Sequence, residues 1–141
     1  MGKQSVATHH DAELILKLYD LRREERMRAA RDWFLQKFSP RSIDDVRALA
    51  GGTPENASYR MVTTYWDMAA SFISHGILDA SLFLESGGEM LVVWAKLEHV
   101  VPAIRAETNP RLLINVEKVV EMSPSAQERM KSLRTRFAPK K

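Results

Sequence analysis

The stretch TPENASYRMVTTYWDMAASFISHG, residues 53–76, decides the fold. Thr53 offers its hydroxyl to the first turn of a helix, and Pro54 takes the first helical position, where a missing N–H costs nothing. Val62, Tyr65, Trp66, Ala69, Phe72 and Ile73 then gather on one face, and Gly76 supplies a left-handed stop. The opposite face carries Arg60, Thr64, Asp67, Ser71 and His75 and reads as solvated. A helix this long with one apolar stripe must bury that stripe against other elements.

The same punctuation recurs on both sides. Upstream, Thr8 and Asp11 start a helix whose stripe Leu14, Ile15, Leu18 and Leu21 is followed, after a charged stretch, by Met27, Ala30, Trp33, Phe34 and Phe38. Ser39-Pro40 stops it. Thirty residues would span roughly 45 Å, so this helix kinks near its charged middle or projects at one end. In that middle, Arg22, Arg23, Arg28 and Arg31 point in four directions, while Glu24–Arg28 and Arg28–Asp32 sit at pairing distance. The segment reads as solvated and self-paired. A short helix follows, capped by Ser42 and Asp45, with Ile43, Val46 and Leu49 inward and Gly51-Gly52 at its end.

Downstream, Asp79 caps a short helix over 80–85, and Ser86-Gly87-Gly88 breaks it. Met90, Trp94, Leu97, Val101 and Ile104 continue one stripe, in which Pro102 predicts a kink or restart near residue 98. Asn109-Pro110 caps a helix bearing Leu112, Leu113, Val116, Val119 and Val120. Ser123-Pro124 caps a last one with Ala126, Met130, Leu133 and Phe137. No alternating strand pattern occurs. The expectation is an all-α fold, a compact bundle of six or seven helices with a long N-terminal helix. It forms a single domain over 1–137, with 1–8 disordered and 138–141 a basic frayed tail. Tryptophans at 33, 66 and 94 do not share flanking residues, so they anchor one core and mark no repeat.

With 141 residues, 45% hydrophobic and 28% charged, the chain has the balance of one globular domain. The net charge of +3 is uneven. Six of the 21 basic residues lie in the last thirteen positions, which hold no acid, so residues 1–128 carry 15 bases against 18 acids, a net −3. The longest apolar run, Met90 to Ala95, is far shorter than the ~20 residues a membrane span needs. Cysteine is absent, which removes disulfides, thiolate metal sites and thiol nucleophiles and fits a reducing, cytoplasmic setting.

Catalytic patterns are missing. The histidines, His9, His10, His75 and His99, form no Glu-x-x-His or His-x-x-x-His, and only His9-His10 beside Asp11 offers a place for a stray cation. Serines sit at caps and breaks, not in a nucleophile elbow, and neither glycine pair has the spacing of a phosphate loop. No metal or cofactor is expected. One polar constellation remains: Glu98 and Arg105 project near the Trp94 stripe and make a candidate polar pocket, or a rim pair that fixes helix register through partners on another helix. Arg129, Lys131, Arg134 and Arg136 are candidate phosphate contacts, although lysine and arginine in a last helix also favour its negative end.

Tyr65-Trp66-Asp67 through His75-Gly76-Ile77-Leu78-Asp79, and Met90 through Trp94 to Ile104-Arg105, resemble a family of small bacterial helical domains of unknown function, over about residues 12–122. The resemblance implies an all-helical fold and a bacterial source, and it carries over no catalytic residue. Many of those relatives place a membrane helix before the domain, and the expectation here is a domain without one. The functional expectation is a non-enzymatic module working through protein–protein contact, with self-association foremost. The rival is a nucleic-acid-associated protein using segment 129–141. An enzyme with a pocket near Glu98 and Arg105 is a third reading.

Overall fold

A computed structural model describes residues 6–137 and 139. Among these the chain forms nine helices and no strand. They are α1 His9–Arg22, α2 Glu25–Gln36, α3 Ile43–Arg47, α4 Pro54–Ser74, α5 Ala80–Ser86, α6 Glu89–Leu97, α7 Val101–Glu107, α8 Ile114–Met122 and α9 Pro124–Phe137. Of the lead expected to be disordered, residues 1–5 lie outside the described residues, while Thr8 is ordered as the N-cap of α1. In the tail, residues 138, 140 and 141 also lie outside them.

The count exceeds six or seven because two expected helices are each divided. There is no single long N-terminal helix. Glu24, at φ −57° and ψ 144°, leaves helical geometry, and its carboxylate caps α2 by accepting the Met27 N–H at 3.1 Å. The break lets α1 and α2 turn around the core, so that Leu18, Met27, Ala30 and Phe34 are buried in one cluster. The second division separates α6 from α7 around Glu98–Val100, where Pro102 has no N–H to continue the ladder. A third expectation is corrected. Asn109-Pro110 does not start α8; the chain turns through Arg111 and Leu112, and Leu113 holds a left-handed φ of 54° immediately before Ile114.

α4 is the central post, packed on α2 along one side and α8 along the other, while α6 packs on α9 and α8. Val62, Trp66, Ala69 and Ala70 of α4 are fully buried with Phe34, Met90, Leu91, Val116 and Met130. Trp94 joins this core, and Trp33 lies at its margin, stacked on Phe38 with ring centroids 4.9 Å apart. Gly76 has a φ of 78°, which closes α4 as its residue type demands. No helix among the described residues is long and apolar enough to cross a membrane.

Candidate functional site

The two residues of the candidate polar pocket go to different helices. Glu98, at the C-terminal cap of α6, accepts two hydrogen bonds from Arg134 of α9, at 2.8 and 3.1 Å. Arg105 on α7 donates to the Leu112 carbonyl at 2.9 Å and to Glu117 of α8 at 2.8 Å. Each pair ties a helix end to a neighbour. Glu98 and Arg105 have separate partners and do not converge on a common pocket.

The basic residues of α9 are largely spent in the same way. Arg129 donates to the Leu84 carbonyl at 2.8 Å, Lys131 pairs with Glu128 at 3.1 Å, and Arg134 holds Glu98. Arg136 lies beside the Phe137 ring, 5.2 Å from its centroid. Bonding to Glu98 raises the Arg134 pKa above its ordinary value.

Three buried polar arrangements escape a reading of local spacing. Asp67, expected on a wet face, accepts the backbone N–H groups of Asn115 and Val116 at 2.9 and 3.0 Å and the Asn115 side-chain amide at 3.1 Å. Ser74 donates to the same Asn115 at 2.8 Å. Leu113 has no capping side chain, so Asp67 serves as an N-cap delivered from another helix. Lys96, only 3% exposed, donates to the carbonyls of Phe34, Leu35 and Phe38 at 2.8–2.9 Å and so closes the C-terminal end of α2. Burial pushes its pKa down from the ordinary 10.5, while three acceptors fit the three protons of the charged form. The third involves the arginine-rich segment, which is not simply solvated. Arg22 is buried and donates to Ser86, and Arg31 grips Glu89 with two hydrogen bonds while bonding the Arg22 carbonyl.

His9, His10 and Glu13 bring ligand atoms within 4.8 Å of one another, all exposed on the first turn of α1. The positive end of that helix opposes a cation there. Asp11, the neighbour expected to help, is committed elsewhere. It completes the capping box with Thr8 and accepts the Asp79 N–H at 2.8 Å, bonds that hold its carboxyl below the usual value.

The candidate site lies on the outer face of α1. Leu18, Leu14 and Ile15 turn inward, but Leu16 is 67% and Tyr19 46% exposed, with exposed Ala12 one turn before Leu16. Leu21, expected in the buried stripe, is 55% exposed. Apolar residues therefore lie on exposed as well as buried faces of α1. Charged Glu13 and Lys17 flank Leu16, and the Arg22 guanidinium braces the Tyr19 ring at 4.7 Å. The helix is anchored by the Tyr65 hydroxyl, which donates to the Leu18 carbonyl, and by the Arg22 side chain, which donates to the Ser86 carbonyl. The spacing of Ala12, Leu16 and Tyr19 at i, i+4 and i+7 was the available signal; on its own it does not tell a second stripe from a wider core face.

The family model described as "Domain of unknown function (DUF4760)" matches residues 7–123. No curated protein and no solved structure matches.

Proposed function

Since the chain belongs to this family of unknown function, which supplies no activity to inherit, we propose that it is a non-catalytic interaction module that self-associates through the outer face of α1. The observation carrying the reading is the exposure of Leu16 and Tyr19 on a helix tied to the rest of the fold through its Leu18 carbonyl and its Arg22 and Asp11 side chains. Exposed apolar groups on rigid backbone bind at low entropic cost. The expected motive for self-association, an overlong first helix, is gone; the two-sided apolar character of α1 replaces it.

The favoured occupant is a second copy. In an antiparallel pair with its two-fold axis near Leu16, each Glu13 comes within one turn of the other copy's Lys17, and opposed helix dipoles attract. Sedimentation velocity over a wide concentration range tests this. A monomer–dimer equilibrium that Leu16→Glu abolishes, with an unchanged circular-dichroism spectrum, is the expected result. A wild-type monomer throughout removes the reading. The nucleic-acid alternative has less support, since Arg129, Lys131 and Arg134 are already engaged within the protein.

A further inference from the structure

Beside the end of α9 lies a recess of about 350 Å³ that the α1 face does not involve. Its walls are Ser39, Pro40 and Arg41 from the segment after α2, Lys96 from α6, and Arg136 and Phe137 at the end of α9, with Pro139 beyond. Among the described residues three cations line it, and no acid does. Lys96 has all its protons committed to the end of α2. The guanidinium groups of Arg41 and Arg136 have no carboxylate partner among the described residues. Asp45 accepts the Arg41 backbone N–H at 2.8 Å and does not line the recess.

Every other arginine of α9 is tied down, by Leu84 or by Glu98, so Arg136 stands apart. Like charges held together without a counterion repel one another, and an anion between them relieves that cost. Planar guanidinium forks match the oxygens of phosphate better than a point charge does. The apolar part of the wall includes an aromatic ring: Phe137 has Lys96 5.5 Å and Arg136 5.2 Å from its centroid, and Pro40 and Pro139 also line the recess. A bare inorganic ion would leave that wall unused.

The geometry points to a binding site for a small phosphate monoester, its phosphate held by Arg41 and Arg136 and its organic part resting on Phe137. The site serves a soluble ligand and not a nucleic-acid backbone, because the cations among the described residues line a recess.

The test uses the full chain, with phenyl phosphate and inorganic phosphate as probes, followed by amide chemical shifts and calorimetry. Expected are saturable shifts confined to the amides of Ser39, Arg41, Arg136 and Phe137, with phenyl phosphate binding several-fold more tightly than inorganic phosphate. The double variant Arg41→Gln/Arg136→Gln is expected to weaken binding at least about tenfold, as loss of charge-assisted hydrogen bonds predicts. Both side chains are exposed, so the melting temperature serves as the folding control, and Arg26→Gln, an exposed cation elsewhere, leaves binding unchanged. Non-saturating shifts, shifts spread over every arginine, or equal binding by the double variant would overturn the proposal. So would a single-stranded oligonucleotide that outcompetes phenyl phosphate at these residues.

Discussion

Arg31 and Glu89 meet across 58 residues of chain in a two-pronged ion pair, Nε to Oε2 at 2.9 Å and Nη2 to Oε1 at 2.8 Å. Both side chains are largely buried, at 22% and 17% exposure. Arg31 also bonds the last carbonyl of α1, while Glu89 opens α6 at its positive end. Three helices are thereby fixed at one point. Bonding to Glu89 raises the Arg31 pKa above its ordinary value.

Arg31→Met is therefore expected to destabilise by about 2–4 kcal/mol, since it strands a buried carboxylate. A double-mutant cycle with Glu89→Gln should return a coupling of about 1–3 kcal/mol by urea denaturation. Additive single effects would show that the pair does not join the helices.

Asp67→Ala removes the cap of α8 and leaves the Asn115 and Val116 N–H groups without their acceptor. A loss of about 1–3 kcal/mol is expected, read as a fall in Tm of several degrees. Hydrogen exchange should accelerate first at the start of α8. Asp67→Asn, which keeps one acceptor oxygen, is expected to cost less.

Lys96→Met keeps much of the volume but takes the donor from three α2 carbonyls. Expected is a loss of about 1–3 kcal/mol, with fraying at residues 34–38. An unchanged Tm would mean that water replaces the amine without penalty.

Gly87 meets the Phe83 ring so closely that an added Cβ would lie 2.5 Å from its carbons. Phe83 is 1% exposed, so any shift of its ring must displace core neighbours. Gly87→Ala should cost about 1–3 kcal/mol through overpacking, and Phe83→Leu should recover part of it.

Asp11 supplies a pH signature. Its carboxyl is held below the ordinary 3.8 by the N–H groups of Thr8 and Asp79. A depressed folded pKa favours the folded state above the unfolded value, and that contribution disappears as pH falls through the lower folded value. Asp11→Asn should lower stability at neutral pH and flatten its fall below about pH 4, measured by thermal melts at several acidities.

α4 could be read from its own residues, because Thr53-Pro54, the stripe through Trp66 and the Gly76 stop are local signals. The restart at Pro102 was legible for the same reason. The break at Glu24 was legible only as one of two outcomes, a kink in the charged middle or a projecting end, and the choice between them depends on how α1 and α2 pack around the core. Asp67 shows the limit more sharply, since its partners lie 48 and 49 residues away. Lys96 carried a faint mark, a single cation enclosed by Leu91–Ala95 and Leu97. Glu98 and Arg105 were visible as charges at a core margin, but their separate partners depend on how α6, α7, α8 and α9 come together.

The chain has no cysteine, so one introduced thiol reports on a single contact. Leu16→Cys under mild oxidation tests the α1 face directly, with Thr135→Cys, exposed on α9, as the control. A covalent dimer that forms with Leu16→Cys and not with Thr135→Cys is the predicted result. Equal trapping at both positions, or none at Leu16→Cys, would contradict pairing through α1.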